Sequence, residues 1–67
     1  MIELSINGRK QRFETGTNIV QLIDAMALTG KRIAIERNGE IVPRSRHAET
    51  WLANGDRLEI VVAVGGG

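Results

Sequence analysis

The sequence contains no cysteine and no tyrosine, and only one histidine, one proline, one tryptophan and one phenylalanine in 67 residues. Without cysteine there is no disulfide framework, thiolate zinc site, iron–sulfur ligation or redox dithiol. The lone imidazole, His47, has no thiol to activate and too few partners for a metal site. It lies between Arg46 and Ala48 in a polar stretch and reads as a solvent-exposed loop residue. An excess of one charge is also missing. Nine basic against eight acidic residues leave a formal net charge of +1, too little to attract nucleic acid or anionic lipid. No apolar run approaches the roughly 20 residues of a membrane span. The opening Met1-Ile2-Glu3-Leu4-Ser5-Ile6 lacks the basic and apolar segments of a signal peptide. These absences lead to the expectation of a cytoplasmic chain that is monomeric when free, binds no nucleic acid or membrane, and holds no metal or cofactor of its own.

What is present is aliphatic and patterned. A chain of this length buries only about 60% of the surface it exposes when unfolded, so its core must be compact. Ile2, Leu4 and Ile6 alternate with Glu3 and Ser5, which predicts a first strand. Asn7-Gly8 supplies a two-residue hairpin turn, and Arg9 to Phe13 returns as a charged edge strand. From Asn18 the period becomes helical, with Ile19, Leu22, Ile23 and Met26 on one stripe. Asn18 is a candidate N-cap, with Gln21 in the capping-box position, and Thr17 competes with it. Gly30 is expected to stop the helix in a left-handed conformation after about ten residues, with Lys31 and Arg32 suiting its negative end.

Ile33 to Arg37 then reads as a strand, Asn38-Gly39 as a second tight turn, and Glu40 to Val42 as a short strand closed by Pro43. Residues 44–53 are expected to be irregular with one short helical turn, and Trp51 with Leu52 to plug the core. Arg57 to Val64 is the longest strand, and apolar residues on both of its faces mark it as central. One helix buries its stripe most simply across one face of a mixed sheet of four or five strands. The predicted fold class is therefore α+β, a ubiquitin-like β-grasp over residues 1–64 followed by a glycine tail, 65–67.

Chemistry-bearing constellations are nearly absent. Glu36 and Glu40 flank a turn and read as its solvated sides rather than as an acid/base dyad. Arg44 and Arg46 are the basic pair retained as contacts for an acidic partner. The glycines carry the most information. Five of the eight (Gly8, Gly16, Gly30, Gly39, Gly55) fall at expected turns or helix boundaries, and three (Gly65, Gly66, Gly67) follow the last strand. Such an ending reads either as a frayed end or as a functional one. A segment without Cβ atoms can thread a channel too narrow for side chains. Three extended residues reach roughly 10 Å, enough to deliver the Gly67 carboxylate into a partner's active site. On that reading the chain is a carrier or substrate and not an enzyme.

The segments Ile33-Ala34-Ile35-Glu36-Arg37-Asn38-Gly39-Glu40-Ile41-Val42-Pro43-Arg44 and Leu52-Ala53-Asn54-Gly55-Asp56-Arg57-Leu58-Glu59-Ile60-Val61, with the ending Val64-Gly65-Gly66-Gly67, resemble the sulfur carrier proteins of thiamine biosynthesis (the ThiS family), relatives of ubiquitin. The resemblance covers essentially the whole chain. It implies that a ubiquitin-activating-like adenylyltransferase, binding ATP and magnesium itself, adenylates the Gly67 carboxylate. A sulfurtransferase persulfide would then convert it to a thiocarboxylate, and thiazole synthase would accept the sulfur. Gly65 and Gly66 would thread the partner's active site. The resemblance also implies docking through the apolar outer face near the last strand, for which Val61, Ala63 and Leu52 are candidates; the other reading has Val61 and Ala63 covered within the domain. Family members often carry an aromatic residue shortly after the Pro-Arg element, where this chain has His47. Two other readings share the pattern: a small subunit of molybdopterin synthase, with the same chemistry and another acceptor, and a ubiquitin-like protein modifier. A plain β-grasp interaction domain with a glycine tail is the fourth.

Overall fold

The computed structural model describes residues 1–63. In chain order its elements are β1 (Ile2–Ile6), β2 (Arg9–Phe13), α1 (Ile19–Ala25), β3 (Ile33–Arg37), β4 (Glu40–Ile41), a 3-10 helix (Arg44–Glu49) and β5 (Arg57–Val62). The five strands form one sheet in the order β2-β1-β5-β3-β4. Strands β1 and β5 run parallel, and the other pairs are antiparallel. The expected β-grasp architecture is thus present, with β5 at its centre. Val64, the expected end of that strand, lies outside the described residues, as do Gly65, Gly66 and Gly67.

Alternation along β1 turns Ile2, Leu4 and Ile6 to the same side as Leu58 and Ile60 of β5 and Ile35 of β3, and the helix covers that side with Ile19, Leu22 and Ile23. Leu4, Ile19, Leu22, Ile35 and Leu58 are fully enclosed, each contributing about 1.5–3 kcal/mol by leaving water. β2 exposes Arg9 through Arg12 and packs only Phe13 against this core, which protects the sheet edge by charge.

The helix begins where its cap predicts. The Asn18 side chain accepts from Gln21 N at 2.8 Å and Gln21 Oε1 accepts from Asn18 N at 2.9 Å, a closed capping box. Thr17 Oγ1 donates instead to the Glu14 carbonyl. The helix ends earlier than expected, after seven residues. Leu28 N donates to Ile23 O (2.9 Å) and Ala27 N to Asp24 O (3.0 Å). These are the two bonds of a Schellman motif, with Ala27 in the left-handed position at φ 58°. Gly30 is also left-handed, at φ 84°, but it shapes the loop beyond the helix, and no basic residue occupies the helix's last turn.

A left-handed alanine holds its Cβ against the following carbonyl, at a cost of roughly 1–2 kcal/mol. Ala27→Gly relieves that contact and is expected to stabilise the fold by about 1 kcal/mol. A higher urea midpoint with an unchanged m-value would show it.

β5 is held at its centre by more than ladder bonds. Both Asn-Gly turns put two consecutive residues at positive φ (Asn7 51°, Gly8 82°; Asn38 51°, Gly39 86°), as hairpins of this hand require. Their asparagine side chains then reach β5. Asn7 Oδ1 accepts from Ile60 N at 2.7 Å while its Nδ2 donates to Ile60 O at 3.0 Å. Asn38 Oδ1 accepts from Arg57 N at 2.8 Å and its Nδ2 donates to Asp56 Oδ1 at 3.0 Å. An aspartate at either position lacks the donor. At the third turn, Asn54 Oδ1 accepts from Glu3 N and Gly55 N donates to Glu3 O, at 2.8 Å each. Register and tilt of the last strand are therefore set from three sides.

Candidate functional site

The described chain ends at Ala63, one residue past β5, where its amide donates to Arg32 O at 2.9 Å. Val62 lies opposite Ile33, and Val61 opposite Ala34. Side-chain alternation sends Leu58 and Ile60 into the core and Arg57, Glu59 and Val61 to the sheet face away from the helix. Val61 is 63% exposed, and Ala63 is exposed as well. These two candidates form an uncovered apolar border around the exit of the chain, so the reading in which the domain itself covers them does not hold.

Leu52 has two readings, as a core plug with Trp51 and as the third docking candidate, of which the structure keeps the first and corrects the second. It is 6% exposed and belongs to the core. Trp51, expected to plug the core, is 57% exposed. The two part because residues 50–52 run antiparallel to 17–19: Ile19 N donates to Thr50 O, Leu52 N to Thr17 O, and Asn18 bridges Trp51. Neighbours on an extended segment point to opposite sides, so burying Leu52 turns Trp51 outward.

His47 is also corrected, from an exposed loop residue to a buried one, 6% exposed. It lies on the 3-10 helix Arg44–Glu49, of which it is the one buried residue. The ring nitrogen Nε2 sits 3.1 Å from Val42 O. A carbonyl only accepts, so Nε2 carries the hydrogen and donates it. Arg44 and Arg46 are exposed on the same helix but do not form one patch. Arg44 lines a groove with Lys31 and His47, whereas Arg46 lines a separate depression with Arg37 and Glu40.

Glu36 does not face Glu40. Its cross-strand partner on β4 is Ile41, and on β3–β5 it stands directly opposite Glu59. The carboxylate that matters structurally is Asp56, which follows the turn at Gly55. Burial pushes its carboxyl up. The Ala53 amide (2.8 Å), the Asn38 side chain (3.0 Å) and the Arg37 guanidinium (2.9 Å) outweigh that and hold it below its ordinary value of 3.8. The signal for this role was the pairing of Asn38 with Asp56, two short polar residues in separate turns, and only tertiary structure brings them together. Among the described residues no group of three histidines or carboxylates could hold a metal ion, and no helix is long and apolar enough to cross a membrane.

The geometry defines a ubiquitin-like β-grasp protein whose last, central strand ends beside an exposed apolar border formed by Val61 and Ala63. The model of the ThiS family matches residues 3–67, and the chain belongs to that family. It is 37% identical over 65 residues to the sulfur carrier protein ThiS of Bacillus subtilis (strain 168), covering 96% of this chain and 98% of the relative. It is also 38% identical over 66 residues to a thiazole synthase of Paramagnetospirillum magneticum and 29% identical to one of Magnetococcus marinus. This chain spans only 20% of the length of those two relatives. The crystal structure of the thiamine biosynthesis protein ThiS from Geobacter metallireducens superposes with a TM-score of 0.83 at 26% identity, covering 98% of this chain and all of the other.

Proposed function

We propose that this chain carries sulfur for thiazole formation in thiamine biosynthesis, with the Gly67 carboxylate as the reacting group. The observation that carries this reading is a family match that runs through Gly65, Gly66 and Gly67. A free carboxylate is a poor electrophile. A ubiquitin-activating-like adenylyltransferase, holding ATP and magnesium, joins it to AMP with release of pyrophosphate. The terminal sulfur of a sulfurtransferase persulfide displaces AMP to give an acyl disulfide, and a thiol cleaves that disulfide to leave a thiocarboxylate. Thiazole synthase accepts the sulfur. This chain's own part is to hold its end out. From Ala63 to Gly67 an extended segment spans roughly 13 Å, so an enzyme acting on Gly67 rests near Val61 and Ala63.

The test is an intact-mass measurement. The protein incubated with the adenylyltransferase, ATP, magnesium and a persulfide donor is expected to gain the mass difference of one oxygen replaced by sulfur. No gain, under conditions in which a control carrier reacts, would refute the proposal.

A further inference from the structure

The groove between the end of α1 and the 3-10 helix plays no part in the chemistry above. Its apolar wall comes from Val20, Ile23, Leu28 and Ile33. Ile23 and Leu28 are the two residues whose backbones close the Schellman motif, which commonly brings such a pair into contact. Two cations reach the groove from different segments, Lys31 from the loop before β3 and Arg44 from the start of the 3-10 helix, and no carboxylate lines it. The nearby Asp24 carboxylate accepts from Thr29 Oγ1 at 3.3 Å. His47 forms part of the wall. Its Nε2 is committed to Val42 O at 3.1 Å, which fixes the ring in place.

A trough with apolar walls, two cations and no carboxylate suits an anionic group joined to an apolar one. Its position narrows the choice of occupant. Ile33 pairs with Val62, and Ala63 is bonded to Arg32, the neighbour of Lys31. The groove therefore adjoins the place where the chain leaves the sheet, and a protein that receives the glycine end lies against its rim. Two relatives named thiazole synthase carry a segment like this chain within one polypeptide.

We propose, building on the sulfur-carrier reading, that this groove docks an acidic residue of thiazole synthase together with an adjacent aliphatic or aromatic side chain. The carboxylate sits between Lys31 and Arg44, and its apolar neighbour packs on Ile23, Leu28 and Ile33.

Calorimetric titration of the full chain into thiazole synthase tests this. The double variant K31E/R44E is expected to bind about tenfold more weakly, with a shallower salt dependence than the unaltered chain. R9E/K10E makes the same charge change on the far edge strand and is expected to bind within about twofold of the unaltered chain. An unchanged affinity for K31E/R44E overturns the proposal. So does an equal loss in R9E/K10E, which reports net charge alone. Weakened binding to the adenylyltransferase with undiminished binding to the synthase overturns the choice of occupant. Failure of the unaltered chain to acquire sulfur in the mass measurement counts instead against the sulfur-carrier reading, and the affinities remain interpretable without it.

Discussion

Gly66→Trp is expected to reduce thiocarboxylate formation about 100-fold or more while leaving the unfolding midpoint unchanged, and deletion of Gly67 is expected to do the same. The physical reason is placement. Displacing a reacting group by about 1 Å can cost 100-fold, and removing one residue draws the carboxylate back by about 3.3–3.6 Å. The indole acts differently, by filling a channel that a chain without Cβ atoms can thread. Stability is unaffected because the core is complete within the described residues, from Ile2 to Ile60. Intact-mass time courses beside thermal melts separate the two effects. Adenylation of Gly66→Trp at the unaltered rate would sink the threading argument, and a lowered midpoint would show that the glycines help to hold the fold.

Asp56→Ala is expected to cost about 3 kcal/mol, a large part of the roughly 3–10 kcal/mol available to a domain of this size. The carboxylate accepts from Arg37, Asn38 and the Ala53 amide at once. Its loss leaves the Arg37 guanidinium half-buried without its partner in the Arg37–Asp56 ion pair. The same carboxylate makes stability depend on acid. Its folded pKa lies below the ordinary 3.8, so between the two values the unfolded chain binds more protons than the folded one. The stabilisation is whole above about pH 4 and is lost as pH falls through the folded value. Urea midpoints between pH 7 and pH 2 are expected to stay flat for this group until about pH 4 and then to decline. Asp56→Asn should flatten that decline. A decline of equal depth in the variant would assign it to other carboxylates.

How far the fold was legible depended on whether local order and tertiary order agreed. The alternation of Ile2, Leu4 and Ile6, the Asn18–Gln21 cap and the two Asn-Gly turns are short-range features, and each stands in the structure where the pattern placed it. The end of α1 was misplaced because a left-handed alanine runs against conformational preference. The site was legible in part. Val61 and Ala63 are exposed, an outcome strand parity left open, Leu52 joins the core as one of its two readings had it, and Trp51 and His47 lie on the opposite side from the one expected. A segment without its own period takes its inside and outside from whatever it packs against. For residues 50–52 that is the backbone of 17–19, and for His47 it is the carbonyl of Val42.

By itself, then, the sequence determined the strand–helix order, the hairpin turns, the aliphatic core and the glycine ending, since propensity, periodicity and the absence of Cβ atoms act over a few residues. Only the tertiary structure decided the rest. It made Asn7, Asn38 and Asp56 braces for β5 rather than mere turn residues, split Arg44 from Arg46, and set Arg44 beside Lys31 and His47 at the exit of the chain. These groups are distant in sequence, and the free energy of bringing them together comes from burying Leu4, Ile35 and Leu58 in one core.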